Sequence, residues 1–186
     1  MIGYAMCGSF CTIEQSIRQL QRLLDRGYEI QPFMSEMLYS TDTRFGKAEE
    51  IVKRVEKLCG RRVIHDIPGA EPYGPSKPLE CLIIAPCTGN TLAKLANGIT
   101  DTAVCMVTKA HLRNDRTVLI ALASNDALSA NLGNISTMLS RKNVYFVPMT
   151  QDDPDKKPHS LVADFDDLIP TLELAMNGKR VGKIIK

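Results

Sequence analysis

Three short stretches of this 186-residue chain concentrate hydroxyl, amide and glycine residues where they could bind an anion. Cys7-Gly8-Ser9-Phe10 follows the apolar run Ile2–Met6, and Ser124-Asn125-Asp126 follows Thr117–Ala123. Between them, Thr88-Gly89-Asn90-Thr91 follows Cys81–Ala85 and Pro86 and precedes a helical pattern that ends at Gly98. Each reads as a polar turn between a buried strand and a helix. A helix N-terminus presents unpaired N–H groups and the positive end of its dipole, which favours a phosphate or another anion. The first turn has neither the G-x-G-x-x-G nor the G-x-x-x-x-G-K pattern. Ser9 and its neighbouring N–H groups can still hold one phosphate, or the turn is a plain strand–helix connection. Capping explains Thr88 or Asn90 singly but not the whole Thr-Gly-Asn-Thr run. Asn125 reads as a helix cap or as an amide facing a substrate, and residue chemistry leaves both open.

Other chemistries find less support. Cys7 and Cys11 have no second pair at metal-ligand spacing, and His65, His111 and His159 are scattered, so no metal is expected. Cys87 has no histidine nearby in sequence and reads as a small buried thiol. Lys94 is a surface lysine or a ligand or subunit contact. Net charge is +2, from 23 basic and 21 acidic residues, which argues against nucleic acid and an acidic membrane surface. No 18-residue apolar window exists, so no membrane span is expected. The chain enters a strand at Ile2, leaving no room for a signal peptide, and six cysteines in mostly apolar settings fit a reducing cytoplasm.

The elements that must position these turns follow from periodicity. Ile2–Met6 reads as a strand. Thr12 with Gln15 resembles a capping box before the stripe Ile13, Ile17, Leu20 and Leu24, stopped by Gly27. Residues 28–34 read as a strand complicated by Pro32, with Ser35 at its end. Residues 35–46 read as a loop with a helical turn, and Lys47–Leu58 as an amphipathic helix ended by Gly60. Four prolines make 68–78 an irregular loop: a lid, a subunit contact or only a connection. The strand Cys81–Ala85 stops at Pro86. Thr102–Leu112 reads as a helix, Thr117–Ala123 and Val144–Val147 as strands, 150–160 as a charged loop, and 161–177 as a final helix kinked at Pro170. Alternation of strand and helix implies a mostly parallel sheet covered on both faces, in one domain spanning 1–186. In such a sheet the three polar turns share one edge, at the strands' carboxyl ends where ligands bind.

The segment APCTGNTLAKLANGITD resembles the flavin-binding signature of the FMN-dependent cysteine-decarboxylase flavoproteins, which are similar to the flavin prenyltransferases. MCGSFCT is similar to that family's Gly-Ser turn. ALASNDAL lies where the family has Pro-Ala-Met-Asn and keeps only Ala123 and Asn125 of it. The resemblance covers roughly residues 2–148 and implies an α/β, three-layer doubly wound sheet of Rossmann-like, flavodoxin-like type. It implies FMN contacts from Gly8, Ser9, Phe10, Ser35, Thr88, Gly89, Asn90 and Thr91, Asn125 near the isoalloxazine as the catalytic candidate, and a homo-oligomer. Decarboxylases of this family carry a histidine in the segment aligned with Glu71–Ser76, which here is EPYGPS. Its absence argues against decarboxylation of a cysteine-containing substrate such as 4′-phosphopantothenoylcysteine, the alternative activity. Within the family, TDTRFGKAEE, GAEP-x-GP, APCTGNT, SNDALSAN and TQDDPDKKP together resemble the branch formed by the B subunits of dipicolinate synthase. That branch implies as partner the dehydrogenase-like A component of dipicolinate synthase, carrying NADP, and oxidation of dihydrodipicolinate to dipicolinate during sporulation. Arg44, Lys94 and Lys109 are candidates for the substrate carboxylates.

Overall fold

The computed structural model describes residues 1–186 apart from Pro75, Lys77 and Pro78, so part of the proline-rich 68–78 segment lies outside the described residues. In chain order the elements are β1 (Ile2–Met6), α1 (Ile13–Asp25), β2 (Ile30–Met34), α2 (Glu36–Ser40), α3 (Ala48–Cys59) and α4 (Ile67–Ala70). Then come β3 (Cys81–Thr88), α5 (Gly89–Ala96), α6 (Ala103–Leu112), β4 (Thr117–Ser124), α7 (Leu132–Leu139), β5 (Val144–Phe146), β6 (Met149–Thr150), β7 (Leu161–Ala163) and α8 (Leu168–Met176). Short 3-10 turns precede α1 and α8.

One seven-stranded sheet runs β2-β1-β3-β4-β7-β6, with β5 also pairing β4. β1 to β5 are mutually parallel, and β7 alone runs antiparallel to its neighbours β4 and β6. Helices cover both faces: α1 packs with α3 and α8, and α5 packs with α6 and α7. Leu82–Ala85 and Val118–Leu122 are wholly buried. Unbroken apolar runs of this kind belong to strands covered on both sides. The chain leaves β1 toward β2 on one side, and β3 and β4 lie on the other. That reversal leaves a crevice at the carboxyl ends of β1 and β3, the usual ligand position in such sheets.

The two strand prolines resolve differently. Pro32 accepts a hydrogen bond from Ile64 N on the outer side of edge strand β2 (3.1 Å), so its nitrogen, which lacks a proton, also faces outward. Pro86 does not end its strand. β3 continues to Thr88 through a cis Ala85–Pro86 bond and a register shift against β4 between Ile84 and Cys87. A bulge is the one place where a central strand tolerates proline.

Three further expectations change. The 161–177 segment is not one helix: Leu161–Ala163 pairs with the end of β4, and α8 begins at Leu168. Pro170 therefore falls in the first turn of α8, where no N–H is required and no kink arises. The Thr12–Gln15 capping box does not form. The Thr12 hydroxyl turns back to Ser9, 2.9 Å from its carbonyl oxygen and 3.1 Å from Oγ. The polar run at 88–91 is not a loop, because Thr88 ends β3 and Gly89 already begins α5.

Candidate functional site

The three polar segments converge. Gly8, Ser9 and Phe10 after β1, Thr88, Gly89 and Asn90 at the β3–α5 junction, and Ser124, Asn125 and Asp126 after β4 line one cavity of about 890 Å³. Arg44 and Phe45 enter from the α2–α3 connection, and Asp152, Lys156, Lys157, Pro158, His159 and Ser160 from the segment between β6 and β7. Its size is within the range of cofactor and ligand sites.

Sequence dictates the direct junction at Thr88. Its side chain accepts from Thr91 N (3.2 Å) as the α5 N-cap and donates to Thr91 Oγ1 (3.1 Å). Capping takes the Thr91 N–H, while the N–H groups of the first turn have no intrahelical partner. Thr91 is buried, and its hydroxyl bonds the Cys7 thiol (3.3 Å), tying α5 to the end of β1. Thr91 does not line the cavity; it holds the two turns that do. Burial pushes the Cys7 thiol up to about 11 and Cys87 well above the usual thiol value, so neither is a ready thiolate.

The turn after β4 is built around a carboxylate. Asp126 Oδ1 accepts from Ser124 Oγ and from Asn131 Nδ2 (2.9 Å), and Asn134 Nδ2 holds Asn131 Oδ1 (2.9 Å). The Ser124 hydrogen bond, reinforced by Asn131, holds the Asp126 carboxyl below the ordinary aspartate value. A Cβ at Gly89 would lie 2.5 Å from Ser124 Oγ and 2.6 Å from Asn131 Nδ2. Glycine is what allows this network to sit against the start of α5. Asn125 is exposed, its amide makes no hydrogen bond among the described residues, and α7 starts only at Leu132. The helix-cap reading falls away, and Asn125 lines the cavity.

Ser35 does not line the cavity: it caps α2, accepting from Leu38 N at 3.4 Å. Lys94 pairs with Asp101 (2.8 Å), and Lys109 lines a separate cavity of about 310 Å³ between α5 and α6. Among the three suggested cations, only Arg44 reaches the site. His65 stacks on Tyr39 (centroids 3.6 Å apart), and His111 is buried in α6 with Nε2 2.9 Å from Thr117 O. Sequence reading missed the Asp126–Asn131 network and the presence of Lys156 and His159 at the cavity. The charged composition of 150–160 was the available signal, but nothing local says that this segment folds back over β4.

The arrangement suits a phosphorylated ring. Donors at Ser9 and the start of α5 suit an anion, Gly8 and Gly89 keep the floor low, and Phe10 and Phe45 offer apolar faces. The chain is 44% identical over 184 residues to the B subunit of dipicolinate synthase of Bacillus subtilis (strain 168), covering 99% of this chain and 92% of that protein. The solved B subunit of dipicolinate synthase from Bacillus halodurans C matches with a TM-score of 0.91 at 38% identity, over 100% of this chain and 95% of the other. The FMN-dependent cysteine decarboxylase SpaF matches with a TM-score of 0.68 at 19% identity over 95% of both chains, a likeness of fold alone. The family model described as Flavoprotein matches residues 1–167, and the chain belongs to that family.

Proposed function

We propose that this chain is the flavoprotein subunit of a two-subunit dehydrogenase that aromatises dihydrodipicolinate to dipicolinate, with FMN in the cavity between β1, β3 and β4. One observation carries the reading: three turns distant in sequence enclose a single cavity, in a chain 44% identical along almost its whole length to a dipicolinate synthase B subunit. The partner in this reading is a dehydrogenase-like A component carrying NADP. The chain acts as one domain over 1–186, in a homo-oligomer in the cytoplasm. Exposed Met37 and Phe45 near the cavity are natural contacts for a neighbouring copy.

Gly8, Ser9 and Asn90 would hold the phosphate with the first N–H groups of α5, which Thr88 fixes as the helix cap. Phe10 would flank the ring system, and the Asn125 amide would orient the substrate beside it. Ser35 and Thr91 would act indirectly, by fixing the ends of β2 and α5. When bound, an isoalloxazine accepts a hydride equivalent, and aromatisation of a dihydropyridine releases one together with a proton. Decarboxylation of a cysteine-containing substrate has only the fold likeness in its favour: no histidine lies in the 71–76 segment, and His65 is held against Tyr39.

The test is to purify this chain and a dehydrogenase-like partner separately and together. FMN uptake is read by quenching of flavin fluorescence, and dihydrodipicolinate oxidation by dipicolinate absorbance. The expected result is FMN binding and full turnover only when both proteins are present. A partner equally active without this chain overturns the assignment.

A further inference from the structure

Two surface arms reach the cavity from opposite parts of the chain, and each carries a cation with no ion-pair partner among the described residues. The first is a two-residue turn closed by Thr43 N to Gly46 O (3.0 Å) and Gly46 N to Thr43 O (3.1 Å), with Arg44 and Phe45 at its tip. Thr43 Oγ1 accepts from Phe45 N (3.1 Å), and the Arg44 guanidinium lies 4.8 Å from the Phe45 ring centroid. The second arm spans 151–160. It is closed by the Lys157–Asp152 ion pair (2.6 Å), Gln151 Nε2 to Pro158 O (2.8 Å) and Ser160 N to Lys157 O (3.0 Å). Asp153 Oδ1 accepts from Lys156 N (3.1 Å), which pins the backbone at Lys156, a residue that lines the cavity.

The charge balance singles out two groups. Asp152 is neutralised by Lys157, while Asp126, held by Ser124 and Asn131, keeps its negative charge on the far wall of the β4 turn. Among the described residues Arg44 and Lys156 have no ion-pair partner. Arg44 and Lys156 reach the cavity on arms other than the Ser9 turn and the start of α5. Pinned backbone arms lower the backbone share of the ordering cost of using these cations.

We propose that Arg44 and Lys156 form a two-cation clamp for the two carboxylates of the substrate, setting the pyridine ring over the ring-binding part of the cavity. This deepens the function proposed above and rests on it for the identity of the dicarboxylate. Arg44 suits a bidentate carboxylate contact, and Lys156 a point-charge contact.

The probes are pyridine-2,6-dicarboxylate and pyridine-2-carboxylate, titrated calorimetrically into FMN-free and FMN-loaded protein. Arg44→Gln and Lys156→Gln should each weaken dicarboxylate binding by about tenfold or more, the scale of one charge-assisted contact. Arg44→Lys should recover part of the loss. The monocarboxylate should bind wild type about as weakly as the dicarboxylate binds a single variant. FMN affinity should not change in either variant. Wild-type dicarboxylate affinity in both variants, or no dicarboxylate binding by wild type in either form, overturns the clamp. Failure to take up FMN overturns the flavin assignment instead, and the FMN-free titrations still decide the clamp.

Discussion

Gly89→Ala places a methyl group where the structure has no room. The new Cβ would lie 2.5 Å from Ser124 Oγ, 2.6 Å from Asn131 Nδ2 and 3.0 Å from Asp126 Oδ1. These are short side chains, and turning Ser124 away breaks its bond to the Asp126 carboxylate. A hydrogen bond to a charged group is worth about 1.5–3 kcal/mol, and overpacking costs a similar amount when the site cannot relax. Because Asp126 is partly exposed, water replaces some of what is lost, and about 2 kcal/mol is the expected net cost. For a chain of this length that is a fall of about 4–8 °C in Tm. The control is Gly133→Ala, inside α7, where the new Cβ meets nothing within 4 Å. Alanine there should add about 0.5–1 kcal/mol, because glycine is the poorer helix residue and the space is open. Scanning calorimetry and urea unfolding of both variants measure the contrast. In the proposed flavoprotein, Gly89→Ala should also weaken FMN binding, since it disturbs the cavity floor. A Gly89→Ala protein as stable as wild type would refute the claim that this glycine is required by the close approach of the Asp126 network.

Burial holds the His111 imidazole down to about 4, below its ordinary value of 6.5. The unfolded chain therefore binds the extra proton first. His111 should cost stability progressively as pH falls from about 6.5 to 4, by up to about 3 kcal/mol, and His111→Leu should flatten that part of the urea-unfolding pH profile. Thr88→Ala removes the α5 N-cap and should cost about 1 kcal/mol, a Tm shift of about 2–4 °C by thermal unfolding. It should also weaken FMN binding, measured by fluorescence quenching. Lys94→Ala breaks only the pair with Asp101 outside the cavity, so FMN affinity should stay at the wild-type value; a clear loss would return Lys94 to the site.

Residue order alone determined the parts of this protein that depend on neighbours in the chain. The apolar runs at Ile2–Met6, Cys81–Ala85 and Thr117–Ala123 are strands because continuous apolar stretches must be buried on both faces. The polar turns follow them because strands joined by helices need a reversal at each end. Their placement on one edge follows from parallel pairing. Tertiary structure decided which of several chemically similar residues face the cavity. Thr88 and Asn90 do, while Thr91 spends its hydroxyl on Cys7 and Ser35 on its own helix. Pro86 sits inside a strand because β4 pairs with β3 both before and after a bulge, and Leu161–Ala163 is a strand because the end of β4 offers it an edge. Asp126 meets Gly89, and Arg44 shares a cavity with Lys156, only after the sheet has assembled. Such contacts join positions far apart in the chain, and local periodicity carries no record of them.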